Sequence, residues 1–194
     1  MSTHKLHIEK GETYFCTIIC YRWFSLFDEA EGYDLVYRWF EHLKRDYCQI
    51  LGYVIMPNHL HCLLFPTYQE KSLNDLVSEG KRFMAYGIVK ALKASGKFDL
   101  LAKLSEGVQT SERLKGKRHQ VFRLSFDARV CDNERMLEQK LDYIHRNPVN
   151  GKWSLVEDFA LYPYSSAAFY ELNMENKYVT HYKELNNELF HRYV

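Results

Sequence analysis

Proline and glycine are sparse in this chain, 4 and 9 of 194 residues. Neither marks an internal repeat or a low-complexity segment, so a repeat array is excluded and element order must be read from hydrophobic period. No apolar run approaches the ~20 residues of a membrane helix. With 46% hydrophobic and 26% charged residues, the composition is that of a soluble globular protein, not a disordered or membrane-inserted one. Excess charge is missing too: Lys plus Arg is 26 against 25 for Asp plus Glu, a formal +1. The global basicity of many nucleic-acid binders is thus absent, and any grip on phosphate must be local. The 5 cysteines are an odd number without a C-x-x-C pair, which gives no disulfide framework. Met1 to Lys10 is polar, with no apolar signal core. Both features predict a reducing, cytoplasmic setting without a membrane.

Aromatic residues are abundant at 15%, enough either to fill a core or to stack on bases. Positive charge is unevenly placed. Arg113, Lys115, Lys117, Arg118 and Arg123 occur in residues 113–126 without an acid, and Lys81, Arg82, Lys90, Lys93, Lys97 and Lys103 form a second cationic stretch. The bland reading of both is solvated surface. Cys16, Cys48 and Cys62 sit in apolar runs and read as small buried hydrophobes.

Hydrophobic patterning predicts a strand over Tyr14 to Tyr21 and a helix over Tyr33 to Tyr47, where Leu35, Val36, Trp39, Phe40 and Leu43 recur at helical spacing. Cys48 to Met56 and His59 to Phe65 read as strands joined by a tight Pro57-Asn58 bend. Ser72 caps a long helix from Leu73 to about Ala94, ended by Ser95-Gly96. Residues 96–119 read as a basic, mobile connection, Val121 to Val130 as a fourth strand, and Asn133 to Asn147 as a helix stopped by Pro148. The fold class is therefore α+β: a ferredoxin-like split βαβ, with an antiparallel sheet of four to five strands, plus a C-terminal helix. Residues 151–194 are too short to stand alone and read as an extension packed on a domain of residues 1–150.

In a strand, alternate side chains share a face, so His59 and His61 project together and two imidazoles can grip one metal ion. Leu63 and Phe65 share that face and call for a covering element. The late helix supplies one. Leu137, Leu141 and Ile144 form its apolar stripe, while Tyr143 and Asn147, i and i+4, lie together around from it and His145 points to the opposite side. Docking that stripe on Leu63 and Phe65 brings a phenol and an amide oxygen beside the two imidazoles.

The segments YVIMPNHLHCLLF (Tyr53 to Phe65) and LDYIHRNPVNGKWSLV (Leu141 to Val156) closely resemble the single-tyrosine HUH transposases, in particular the REP-associated tyrosine transposase branch of the insertion-sequence transposases. The resemblance runs from about Tyr14 to Ser166 and includes the Lys81-Arg82 helix and the Tyr162-Pro163-Tyr164-Ser165-Ser166 stretch; Gly151-Lys152-Trp153 departs from a frequent Gly-Leu-Val ending. It implies that residues 1–150 are a catalytic domain, that His59, His61 and Asn147 are ligands of a divalent metal (Mg2+ or Mn2+), and that the late helix carries the nucleophile, Tyr143.

The implied activity is DNA transposition by a single-strand endonuclease and strand transferase, through a 5′-phosphotyrosine intermediate at single-stranded or stem-loop DNA. A free phenol has a pKa of about 10, and Lys140, one turn before Tyr143, is the candidate cation beside it. Lys140, Lys81, Arg82, Arg118 and Arg123 are candidates for contact with DNA, with Tyr162 and Tyr164 as possible stacking platforms. A monomer and a homodimer both fit. Two other readings stay open at this level: a hairpin-binding protein with a domesticated regulatory or repeat-maintenance role, and a metal-binding protein unrelated to DNA.

Overall fold

Strands β1 (Thr13–Ile19), β2 (Cys48–Met56), β3 (His59–Pro66) and β4 (Asp127–Cys131) form one sheet in the order β2-β3-β1-β4, every pair antiparallel. With a helical crossover before β2 and another before β4, this is the expected ferredoxin-like split βαβ arrangement. The structure is a computed structural model and describes residues 11–45, 48–67 and 71–185. The expected helix end at Tyr47 and the last part of the 151–194 extension lie outside the described residues.

The helices are α1 (Leu26–Glu29), α2 (Tyr33–Arg45), α3 (Leu73–Ala94), α4 (Phe98–Glu106), α5 (Thr110–Leu114), α6 (Glu134–Arg146) and α7 (Ala167–Glu171). At the start of α3, the Ser72 hydroxyl accepts from Asp75 N at 3.2 Å while the Asp75 carboxylate accepts from Ser72 N, a reciprocal capping box. Helices α2 and α3 cover one sheet face, where Ile18, Ile55, Leu60 and Leu64 pack with Phe40, Met84 and Ile88. The two helices approach closely at Gly80, where an added Cβ would lie 2.3 Å from Trp39 Nε1.

The other face, which carries Leu63 and Phe65, is closed by Leu137, Leu141 and Ile144 of α6. The parity of β3 and the leucine stripe thus meet as expected. A bulge between Ile50 and Gly52 in β2 shifts the strand's parity, so that Leu51 and Val54 also face α6 while Ile50, Tyr53 and Ile55 face α2 and α3. The outer edge of β2 is covered by residues 162–166: Ile55 N donates to Tyr164 O at 2.8 Å, Ser166 N to Tyr53 O at 3.0 Å, and the Tyr162 hydroxyl to Ile55 O at 3.0 Å. A paired edge is closed to further strands.

Two expectations need correction. Residues 96–119 are not an unstructured connection. They form α4 and α5, with Leu101 and Leu104 of α4 and the following Val108 buried; the two helices are short, 9 and 5 residues, and leave little room for a helical period to show. The fourth strand is also shorter than Val121 to Val130. Val121 and Phe122 are drawn into the core, Phe122 pairing only through a single bridge with Cys20. The next three residues bend around the Lys81 ammonium, which donates to the carbonyls of Arg123 (2.7 Å), Leu124 (3.1 Å) and Ser125 (3.4 Å). Ladder pairing resumes only at Asp127.

Candidate active site

His59 and His61 open β3, and their rings lie side by side with centroids 4.7 Å apart. Each Nδ1 is already engaged. The Asn58 amide nitrogen donates to Trp23 O at 3.2 Å, so its oxygen faces His59 Nδ1, 2.6 Å away, and accepts from it. His61 Nδ1 meets the Thr17 hydroxyl at 2.9 Å. Fixing the Nδ1 side leaves Nε2 of His59 as the lone-pair nitrogen, and the same tautomer for His61 puts a lone pair on its Nε2. Burial holds the pKa of His59 down at about 4, helped by the charge of Lys152 and opposed by a side-chain hydrogen bond with Asn147. His61 is pushed down to about 3 by burial, then by His59 and Lys140. Both rings are therefore neutral at pH 7, the state in which an imidazole ligates a metal.

Helix α6 delivers the remaining groups. The Asn133 side chain caps its first turn by accepting from Met136 N at 2.9 Å, and Pro148 ends it in a 3-10 turn that begins at Asn147. Asn147 is buried beside His59, and the Tyr143 ring stands edge-on to His61 with centroids 5.3 Å apart. Tyr143 is 48% exposed, so the phenol borders solvent. His145 is on the far side of α6, where its Nε2 meets the Ser166 hydroxyl at 2.9 Å.

The four side chains line a cleft of about 760 Å³ that also includes Phe15, Trp23, Lys140, Lys152 and Trp153. Among the described residues, no group of three His, Cys, Asp or Glu converges. The donor set here is two imidazoles and one amide, and it fits a divalent cation: two neutral nitrogens oriented by second partners, one neutral oxygen donor, and room for further oxygen ligands. Lys140 lies in the same cleft with its ammonium 4.8 Å from the centre of the Phe15 ring.

The other cations expected to meet DNA are divided. Arg82, Arg118 and Arg123 line a second cavity of about 670 Å³ between α3 and residues 116–124. Arg123 also reaches toward the first cleft, its guanidinium 5.0 Å from the centre of the Trp23 ring. Lys81 lines that second cavity, but its ammonium is turned onto the three carbonyls described above. Tyr162 is buried and Tyr164 stacks on Tyr33 at 3.7 Å, so both belong to packing.

Sequence reasoning missed Phe15, Thr17, Asn58, Trp23 and Trp153. Phe15 stacks on His61 at 5.2 Å with rings 22° apart and meets the edge of Tyr143. The alternation of Phe15 and Thr17 in β1 was available in the sequence, but which strand would lie beside β3, and in what register, was not. Trp23 and Trp153 come from loops and carry no periodic signal.

No family model and no curated protein matches the sequence. Among solved structures, it is similar to the structure of a REP-associated tyrosine transposase bound to a REP hairpin. The two are 19% identical, the match covers 94% of this chain and 96% of that one, and the TM-score is 0.58. At that identity the likeness speaks for the fold alone, and this chain shares the fold of that solved structure.

Proposed function

We propose that the protein is a metal-dependent tyrosine transposase that nicks and rejoins single-stranded or stem-loop DNA. The observation that carries the reading is the Tyr143 ring edge-on to His61 at 5.3 Å, beside His59 and Asn147, with all four groups supplied by one chain. The similar solved structure is bound to a REP hairpin, and this chain presents Arg82, Arg118 and Arg123 in one cavity and Lys140 in the cleft as candidates to meet a nucleic-acid backbone. Lys81 serves by holding the loop that carries Arg123.

His59, His61 and Asn147 would hold Mg2+ or Mn2+, which withdraws charge from the phosphate oxygens. The Tyr143 oxygen attacks the phosphorus of one backbone linkage as its proton leaves to solvent. A tyrosyl oxygen-phosphorus bond forms, the bond to the 3′ oxygen breaks, and that oxygen takes up a proton as a 3′ hydroxyl. Phosphodiester energy is kept in the 5′-phosphotyrosine link, so attack by another 3′ hydroxyl rejoins strands and frees the phenol. Thr17 and Asn58 keep the imidazoles aimed, and Phe15 forms an apolar wall against His61 and Tyr143.

The test is a labelled stem-loop oligonucleotide incubated with Mn2+ and run on a denaturing gel. A protein-linked product is expected, lost in Tyr143→Phe and in His59→Ala. Hairpin binding without any adduct, across several metals and flanking sequences, would overturn the enzyme reading and leave a hairpin-binding protein.

A further inference from the structure

The chain has three tryptophans, and they divide by environment. Trp39 is a core residue, buried with its Nε1 donating to Leu76 O at 3.3 Å. Trp23 and Trp153 line the cleft of the candidate site. Both stand beside His59, with ring centroids at 5.7 Å and 6.4 Å. Trp23 is 46% exposed, and Trp153 is only partly buried. Trp153 rests in part against the cluster on the α6 side of the sheet, yet both indoles keep surface on the cleft, which a wholly packed indole would not.

Trp23 is held there against local preference. Arg22 and Trp23 both have positive φ, 51° and 60°, the left-handed region that side chains other than glycine seldom adopt. Such conformations persist when surrounding structure imposes them, and they gather at functional sites. Backbone bonds from Tyr21 N to Val121 O and from Trp23 N to Cys20 O hold this turn, together with the amide of Asn58, which donates to Trp23 O while accepting from His59 Nδ1. That side chain therefore helps to fix both the indole and the imidazole. Each indole also carries a cation, Arg123 at 5.0 Å over Trp23 and Lys152 at 5.3 Å over Trp153.

We infer that Trp23 and Trp153 stack on the two unpaired bases on either side of the linkage attacked by Tyr143. The inference rests on the transposase reading above. Aromatic faces paired with cations suit an unpaired strand, because the bases offer π-faces and the backbone offers phosphates. A phosphate seated at His59 and His61 has one nucleotide on each side, and the structure supplies two indoles beside His59. Bases held in a duplex present no free face, so the clamp selects the unpaired part of a stem-loop.

The experiment places 2-aminopurine on either side of the cleaved linkage and follows its fluorescence without metal, alongside adduct formation with Mn2+. Stacking quenches the probe in the wild-type complex. Trp23→Ala and Trp153→Ala each restore fluorescence at one position and raise KM on the order of tenfold, with kcat changed less, while the Phe variants retain quenching. Wild-type protein given an abasic site at either position loses affinity to the same extent, and the matching Ala variant loses nothing further. Quenching untouched by both substitutions, or abasic and tryptophan losses that simply add, would overturn the clamp. Absence of adduct with the wild-type chain on every stem-loop is instead a failure of the transposase reading.

Discussion

Thr17 and His61 are partners twice over: their Cα atoms face each other across β1 and β3, and the Thr17 hydroxyl lies 2.9 Å from His61 Nδ1. Removing that oxygen while keeping the shape, as in Thr17→Val, frees the ring to turn and to change tautomer. Mn2+ affinity should fall about 10- to 100-fold, measured by isothermal titration. An isotherm identical to wild type would mean that Thr17 does not orient the imidazole.

Gly52 lies under α6, and a Cβ there would come within 2.4 Å of Leu141 Cδ2. Gly52→Ala should therefore cost about 1–3 kcal/mol through overpacking and lift Tyr143 from the cleft, slowing adduct formation. Leu141→Ala alone should cost about 2–4 kcal/mol by leaving a cavity. The double variant should lose clearly less than the two costs together, because each change relieves the other. Additive chemical-denaturation energies would show that the two sites do not meet.

The Lys81 ammonium gathers three consecutive carbonyls of the loop before β4. Lys81→Met should cost about 1–2 kcal/mol, since the freed carbonyls lie in a loop that water can reach. Hydrogen exchange at residues 123–126 should rise in step. Exchange confined to α3 would argue that the lysine does not hold the loop.

His145 is buried against Ser166, and burial holds its pKa down at about 4, with Asp142 opposing. Between that value and the usual His value of ~6.5, the unfolded chain binds the proton and the folded chain does not, so stability rises with pH across this window. The contribution is fully present above ~6.5 and is lost as pH falls toward 4, amounting to about 3 kcal/mol at most. His59 and His61 are depressed by burial as well, so they add to the same acid lability. His145→Gln should remove about one proton from the uptake on unfolding near pH 5, read from denaturation midpoints in chelator. An unchanged pH slope would rule this residue out.

Strand and helix order was legible because it rests on local periods: β3 alternates, and α6 repeats Leu137, Leu141 and Ile144. The same rules failed at residues 96–119, where helices of 9 and 5 residues are too short to show a clear period, and at 121–126, where a tertiary bond from Lys81 outweighed an alternating pattern. Of the candidate site, the two-residue spacing in β3 and the four-residue spacing in α6 named His59, His61, Tyr143 and Asn147, and the structure brings these four into one cleft.

What surrounds those four was not in any local pattern. Thr17 and Phe15 reach His61 only through strand register, and Trp23 and Trp153 reach His59 only through loop conformation. Sequence alone determined which side chains share a face of one element, because backbone geometry repeats every two or 3.6 residues. Tertiary structure decided which faces meet, because that depends on register, close approach and buried hydrogen bonds between segments far apart in the chain.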